Sequence, residues 1–83
     1  MQKTSVEVIL PAAGIRVEFL VPATMTVRKA SRLMLTALAE EYGLSLPETA
    51  NPLLFDPVQQ SILPQACTLS EAQVHHGSQL YLL

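Results

Sequence analysis

The architecture of this chain is indicated most clearly by its closing stretch, Thr68-Leu69-Ser70-Glu71-Ala72-Gln73-Val74-His75-His76-Gly77-Ser78-Gln79-Leu80-Tyr81-Leu82-Leu83. Leu69 and Val74 are spaced so that both can reach a core from one short helical turn. Gly77 then turns the chain, and Leu80–Leu83 have the composition of a central strand. A chain that stops on two leucines is expected to bury its end. We therefore predict that the last strand lies inside a sheet, paired in parallel with an early strand.

Length and composition predict a single domain spanning 1–83. A chain of 83 residues hides roughly 60–65% of its unfolded surface on folding, which allows one modest core. Apolar residues make up 49% of the sequence and charged residues 14%. The chain therefore has enough apolar surface to fold, and disorder is not expected.

The sequence predicts no membrane span, no leader and no metal site. No apolar run reaches the roughly 18–20 residues that cross a bilayer, and Glu7 and Pro11 interrupt any signal-peptide core. We therefore expect a cytoplasmic protein. The single cysteine, Cys67, excludes an internal disulfide. With His75 and His76 it can supply three metal ligands, but we favour a small buried filler and expect no metal and no cofactor.

Charge is unevenly distributed along the chain. The five basic residues all lie in the first 32 positions: Lys3, Arg16, Arg28, Lys29 and Arg32. Only Glu7 and Glu18 oppose them there, so this part carries +3, and the five acids that follow give −5, for a net charge of −2. Nucleic-acid binding usually needs a dense basic stripe and a high pI, so we expect no nucleic-acid partner.

Two alternating runs at the start predict a β-hairpin. In Ser5–Leu10, Glu7 and Ile9 face away from Val6, Val8 and Leu10. Pro11–Gly14 supply a turn. In the second run the inward residues are Ile15, Val17, Phe19 and Val21, and the outward residues are Arg16, Glu18 and Leu20. Such alternation is typical of a sheet with one buried face.

A helix is predicted after Pro22. Thr26 is its expected N-cap, Tyr42 its approximate end, and Gly43 its left-handed C′ residue. The predicted core stripe is Val27, Ala30, Met34, Ala37, Leu38 and Glu41, widened by Leu33, with Leu35 off the stripe. The basic residues Arg28, Lys29 and Arg32 oppose the helix dipole. Either tertiary packing absorbs this cost, or the basic helix start meets an acidic partner.

The remaining elements complete an α+β fold. After an irregular connection at 44–50, Asn51–Asp56 and Ser61–Leu63 read as two short strands next to prolines, which suit sheet edges. A right-handed crossover through the helix returns the chain to the same sheet. We predict a β-grasp with the order ββαββ(3-10)β: a mixed sheet of four to five strands packed on one α-helix.

Two segments resemble ubiquitin-like domains. Thr68–Val74 (TLSEAQV) and Gly77–Leu83 (GSQLYLL) resemble the closing segment of that superfamily, where a T-L-S-D/E turn precedes the last central strand. Val21–Val27 (VPATMTV) is similar to ubiquitin's entry into its helix. The ending is most similar to the L-S-D…G-D-x-L-x-I-L pattern of the YukD/EsaB group. These are bacterial ubiquitin-like proteins associated with type VII (ESX/WXG100) secretion.

The resemblance implies a binding protein and not an enzyme. Conjugation and sulfur carriage by ubiquitin-like proteins need a C-terminal Gly-Gly, whereas this sequence ends Leu80-Tyr81-Leu82-Leu83. If the sequence is the whole gene product, a modifier or sulfur carrier is the disfavoured alternative. The sequence has no nucleophile elbow and no phosphate-binding glycine loop, and His75-His76 is expected to be a solvated pair. We expect secretion-machinery proteins as partners, with self-association into a homo-oligomer as a further possibility.

A candidate binding surface follows from the strand phases. We predict that Leu80 and Leu82 face the core, and that Leu54, Tyr81 and Leu83 face away from the helix. Ile9 and Leu20 on neighbouring strands extend this surface. Several apolar residues on one sheet face are typical of an interface. A slip of one residue would exchange the faces, so an ordinary surface or a reversed register stays open at this stage.

Overall fold

The computed structural model describes residues 3–46 and 50–83. Positions 47–49 of the predicted irregular connection lie outside them. The described residues form five strands and one α-helix: β1 Lys3–Leu10, β2 Ile15–Pro22, α1 Val27–Tyr42, β3 Leu54–Asp56, β4 Ser61–Ile62 and β5 Ser78–Leu82. The sheet has the order β2-β1-β5-β3-β4. The predicted α+β architecture, with a mixed sheet and one helix, is therefore confirmed.

The closing strand lies at the centre of the sheet. β5 pairs in parallel with β1 and antiparallel with β3. Leu80 and Leu82 are both completely buried, because β5 is covered by the helix on one face and paired along both edges. The prediction of a central closing strand paired in parallel with an early strand is confirmed, whereas the last residue, Leu83, is exposed and not buried.

The first two strands form the predicted hairpin. β1 and β2 pair without a bulge from Lys3 opposite Pro22 to Leu10 opposite Ile15. A short 3-10 helix at Pro11–Ala13 makes the turn. It ends at Gly14, whose φ of 65° is one that glycine adopts without steric cost.

The helix has the predicted ends but a shifted buried stripe. Thr26 Oγ1 accepts from the Lys29 amide at 3.2 Å, and Gly43 ends the helix with a φ of 66°. The buried residues are Val27, Ala30, Ser31, Met34 and Leu38. Ser31 is tolerated in the core because its hydroxyl donates to the carbonyl of Arg28 at 2.9 Å.

The structure corrects three positions of the predicted stripe and one position that was predicted to lie off it. Ala37, Glu41 and Leu33 are exposed, whereas Leu35 is half-buried against the core. The buried stripe therefore includes Ser31 and is flanked by Leu35, on the side of the helix away from Leu33 and Ala37. Ser31 is polar, so a count of apolar residues did not show that this side of the helix is buried.

The turn before β5 is held by a reciprocal capping box. Thr68 N donates to Glu71 Oε1 at 2.9 Å, and Glu71 N donates to Thr68 Oγ1 at 3.1 Å. One helical hydrogen bond, from Ala72 N to the carbonyl of Thr68 at 2.9 Å, follows. The segment before β5 forms consecutive hydrogen-bonded turns and not the predicted 3-10 helix, because the 3-10 helix of the described residues lies at Pro11–Ala13. These turns nevertheless bury Leu69 and Val74 as expected.

Removing the capping box should lower stability measurably. We expect Thr68→Ala to lower the free energy of unfolding by about 1 kcal/mol, because it leaves one turn amide without its acceptor. Urea denaturation followed by circular dichroism measures this change. Ser70→Ala, at an exposed position of the same turn, is the matched control and should change stability by less than about 0.5 kcal/mol. Equal effects of the two substitutions would contradict the capping role.

Candidate protein-binding surface

One row of apolar side chains crosses the sheet on the face away from the helix. Ile9 on β1 lies opposite Tyr81 on β5, Tyr81 opposite Phe55 on β3, and Phe55 opposite Ile62 on β4. The rings of Phe55 and Tyr81 are 6.2 Å apart with an interplanar angle of 31°. Cross-strand neighbours at this spacing pack as one surface. We call these four residues the apolar row.

The row has two apolar extensions. At one end of β5, Leu53 and Leu83 exchange backbone hydrogen bonds of 3.3 and 2.9 Å, so they share the face of Phe55 and Tyr81. Leu83 is 58% exposed, and Ile62 in the row itself is 49% exposed. On β2, Leu20 is 64% exposed. Tyr81, Leu83, Ile9 and Leu20 therefore lie on the face that the sequence analysis assigned to them.

The sequence analysis wrongly placed Leu54 on the outer face of the sheet. Leu54 is completely buried, because it lies opposite Leu82, which points into the core. Antiparallel partners share a face, so the burial of Leu82 fixes that of Leu54. Leu54 is a core residue and not part of the binding surface.

Phe55 and Ile62 are members of the row that sequence reasoning missed. The run Leu53-Leu54-Phe55 is apolar throughout, so alternation does not show which residues point outward. A usable signal was the aromatic ring of Phe55, which can pair across strands with Tyr81 once the two strands are placed side by side.

A charged cluster borders the row on the β2 side. Arg16 Nε lies 3.0 Å from Glu7 Oε1. Glu7 Oε1 is buried and accepts no well-aligned hydrogen bond, so the contact is ionic. Glu18 lies directly opposite Glu7 in the hairpin, and like charges at such positions repel. The apolar row thus ends at a polar border on one side.

The secondary basic patch consists of Arg28, Lys29 and Arg32, which are all exposed. In residues 3–46 and 50–83 none of the three forms a salt bridge. The helix amides beneath them are already used: Val27 N donates to the carbonyl of Cys67 at 2.8 Å and Arg28 N to that of Gln65 at 3.1 Å. The patch can therefore contact a partner through its charged side chains, whereas the amides of Val27 and Arg28 are already hydrogen-bonded.

Reversing one charge of this patch should stabilise the free protein. Lys29 lies in the first turn, near the positive end of the helix dipole, so Lys29→Glu should raise the free energy of unfolding by about 0.5 kcal/mol or more. Urea midpoints at low salt and at about 1 M salt measure the effect, which should shrink as the charges are screened. Thr36→Glu, an exposed mid-helix change, is the control and should show no such salt-dependent gain. A gain of zero for Lys29→Glu at low salt would contradict this account.

The polar pocket beside β3 is built from groups that satisfy one another. A cavity of about 210 Å³ is lined by Asp56, Val58, Gln59, Gln73, His75, Ser78 and Gln79. The carboxylate of Asp56 accepts from Val58 N at 2.9 Å and from Gln59 Nε2 at 2.8 Å. His75 is exposed, and its amide donates to Ser78 Oγ at 2.9 Å. These hydrogen bonds hold the turn that follows β3.

The remaining metal-ligating candidates lie apart from one another. His76 Nδ1 accepts from the amide of Ser5 at 3.2 Å, so this histidine ties the β5 turn to β1. Cys67 is half-buried and packs against the core, as the filler interpretation expects. Within the described ranges, no group of three or more His, Cys, Asp or Glu side chains could hold a metal ion. No helix in that part of the chain is long and apolar enough to cross a membrane.

Solved structures with the same fold include domains of secretion proteins. The EccD5 ubiquitin-like domain from Mycobacterium xenopi matches with a TM-score of 0.79 at 19% identity, over 100% of this chain and 94% of that one. The ubiquitin-like domain of the Mycobacterium tuberculosis type VII secretion system protein EccD1 gives a TM-score of 0.76 at 18% identity, over 100% and 99%. A chain of the MycP5-free ESX-5 inner membrane complex gives 0.77 at 21% identity, and this protein spans 21% of its length.

The same fold also occurs in an unrelated setting. A chain of the toluene 4-monooxygenase HD complex with 4-bromobenzoate gives a TM-score of 0.80 at 7% identity, over 98% of this chain and 96% of that one. No protein-family model matches the sequence, and no curated protein does. At these sequence identities the similarity shows the fold only. The function has to be inferred from the residues on the surface of the domain. The predicted ubiquitin-like fold is thus confirmed: the chain has the β-grasp fold of these domains.

Proposed function

We propose that this protein is a non-catalytic ubiquitin-like module that docks a protein component of a bacterial type VII secretion system on the cytoplasmic side. The observation that carries this proposal is the apolar row of Ile9, Tyr81, Phe55 and Ile62. A continuous row with an aromatic pair at its centre has the composition of an interface core. Leu83 and Leu20 extend the surface at its margins.

The shape of the surrounding surface also favours a protein ligand. The row lies on an open sheet face, whereas small molecules are usually bound in concave sites that bury most of the ligand. The charged border of Glu7, Arg16 and Glu18 supplies the polar rim that protein interfaces commonly have. The secondary basic patch of Arg28, Lys29 and Arg32 offers a separate contact for an acidic segment of a partner.

Two independent comparisons support the secretion assignment. The tail sequence resembles the YukD/EsaB group of type VII accessory proteins, and the fold matches domains of EccD proteins and of the ESX-5 inner membrane complex. Those structures are parts of secretion machinery. A docking role within a related secretion system accounts for both likenesses and for the apolar row on the outer sheet face.

Site-specific photo-crosslinking in native cells tests the proposal. A photoreactive phenylalanine analogue replaces Tyr81, at the centre of the row, and in a matched variant replaces Leu33, which is 49% exposed on the helix. We expect the first variant alone to form an adduct that contains a type VII component, identified by mass spectrometry. Adducts only with proteins outside secretion, or the same adduct from both positions, would overturn the proposal.

The intact mass of the protein from native cells tests whether it acts as a modifier or sulfur carrier. The three glycines of the sequence are Gly14, Gly43 and Gly77, so it contains no Gly-Gly pair. We expect a mass without any adduct at the carboxyl terminus. A thiocarboxylate, an adenylate or an isopeptide-linked protein would show that the chain is processed by an adenylating enzyme and would replace the docking proposal.

A further inference from the structure

The two edges of the sheet are very different in length. β4 covers only Ser61–Ile62, whereas β2 covers Ile15–Pro22 and, within residues 3–46 and 50–83, has β1 as its single neighbour in the sheet. Proteins usually protect long edge strands with lysines, prolines, bulges or inward-pointing charges. β2 has no lysine and no bulge, its inward side chains are all apolar, and its one proline, Pro22, is the last residue of the strand. This edge is therefore open to pairing with another strand.

The backbone direction of β2 follows from the hydrogen bonds of Ser5. Its amide donates to His76 Nδ1 at 3.2 Å and its carbonyl accepts from Gly77 N at 2.7 Å, so both groups point towards the β5 side. Alternate residues of a strand point their backbone groups to opposite edges. Val6 and Val8 therefore bond to β2, through their partners Phe19 and Val17.

It follows that the intervening residues of β2 present their backbone outward. The amides and carbonyls of Arg16, Glu18 and Leu20 point away from β1, along the free edge. The side chains of the same residues lie on the outer sheet face and are exposed. An added strand would therefore pair with these three residues.

The charges on this edge are incompletely matched within one chain. Arg16 pairs with Glu7 at 3.0 Å, while Glu18 lies opposite Glu7. In the described part of the chain Glu18 forms no salt bridge. A strand that placed a cation opposite Glu18 would remove this imbalance.

We propose that the occupant of this edge is a second copy of the same chain, paired antiparallel through β2 about a two-fold axis at Val17. In this register Arg16 of each copy lies opposite Glu18 of the other, and Val17 lies opposite itself. The interface is isologous, as two-fold dimers require. Each Glu18 gains the cation that its own chain does not supply.

The charges of Arg16 and Glu18 favour this register over the two adjacent antiparallel registers. Pairing must join outward-pointing residues, so the register can shift only by two residues at a time. One shift places Glu18 opposite Glu18, and the other places Arg16 opposite Arg16. Like charges directly opposite one another are destabilising. Among antiparallel registers centred near this part of β2, only the Val17-centred one has both charge pairs matched.

Apolar packing supports the same register on the helix side of the sheet. Ile15 and Phe19 are half-buried against the core, and in the dimer Ile15 of each copy lies opposite Phe19 of the other. A groove of about 280 Å³ runs beside them, lined by Val17, Phe19, Ala37, Leu38, Glu41 and Tyr42. The corresponding groove of the second copy would face it across the two-fold axis. The dimer would thereby cover apolar surface that one chain leaves half-exposed.

Charge reversal with mixing tests the proposal in solution. We expect the wild type to show a concentration-dependent monomer–dimer equilibrium in analytical ultracentrifugation. Arg16→Glu alone and Glu18→Arg alone should each weaken the dimer roughly tenfold or more, because each places two like-charge pairs across the axis. An equimolar mixture of the two variants should dimerise again, since every pair is then matched.

Circular dichroism melts confirm that each variant is folded before it is compared. A wild type that stays monomeric up to about 1 mM would overturn the proposal. So would a dimer that survives both single reversals, or a mixture that fails to dimerise although the wild type does. The apolar row and Tyr81 are unchanged in all these variants, so a failure here leaves the docking proposal intact.

A disulfide across the axis tests the register itself. Val17 would occupy a non-hydrogen-bonded pair with its own copy, at a Cα separation of about 4.5 Å that a disulfide can span. We expect Val17→Cys, combined with Cys67→Ala, to form a covalent dimer under mild oxidation. Ile15→Cys in the same background is the matched control and should not, because Ile15 faces Phe19 of the second copy. Equal crosslinking at the two positions would contradict the proposed register.

Discussion

Leu54→Asp should unfold the domain and not merely weaken its binding. Leu54 is completely buried, opposite Leu82. Replacing a buried leucine removes about 2–5 kcal/mol of packing, and burying an unpaired carboxylate adds several more. A domain of 83 residues has a total stability of about 4–12 kcal/mol. Circular dichroism should therefore show loss of the cooperative melt at neutral pH.

The matched control for this prediction is Leu83→Asp. Leu83 is a neighbouring apolar residue of the same region, but it is 58% exposed on the outer face. We expect its substitution to change the free energy of unfolding by about 1 kcal/mol or less. If Leu54→Asp kept a normal melt while Leu83→Asp did not, the register of β5 against β3 would be shifted by one residue.

Tyr81→Ala should abolish most of the affinity for the protein partner. Tyr81 lies in the middle of the apolar row, between Ile9 and Phe55. Aromatic residues at the centre of an interface typically contribute 2 kcal/mol or more, which corresponds to a loss of about 30-fold in affinity. The dissociation constant for the partner captured by crosslinking, measured by surface plasmon resonance, gives the change.

Stability must be measured in parallel, because Tyr81 also contacts Phe55. Loss of that aromatic pair should lower the free energy of unfolding by about 0.5–1.5 kcal/mol beyond the cost of the half-buried ring area, so circular dichroism must show that the variant is folded before its affinity is compared. Leu33→Ala removes an exposed apolar side chain of the helix and should leave the affinity unchanged. Equal affinity of wild type and Tyr81→Ala would show that the outer sheet face is not the docking surface.

The local elements were largely predictable because their signals are short in range. The capping hydroxyl of Thr26 and the left-handed Gly43 fix the ends of the helix within a few residues of sequence. The alternation in β1 and β2 combines charged with apolar residues, so its phase is unambiguous. The apolar composition of Leu80–Leu83 predicted the central position of β5.

The candidate site was predicted only in part, for a reason that lies in β3. In β1 and β2, charged residues such as Glu7 and Arg16 mark the outer face. In Leu53-Leu54-Phe55 every residue is apolar, so period-two alternation carries no phase. Sequence reasoning therefore placed Leu54 outside and left Phe55 out of the surface.

The sequence by itself thus determines which elements form and which residues end them, through caps, turns and charge alternation. The tertiary structure settles the phase of β3, because the pairing of Leu54 with Leu82 and of Phe55 with Tyr81 assigns each side chain to a face. It also leaves β2 as a free edge, which strand order alone creates. The face of each β3 residue and the free edge of β2 both depend on which strands pair across the sheet. In a run such as Leu53-Leu54-Phe55, where every residue is apolar, the local sequence pattern does not indicate that pairing.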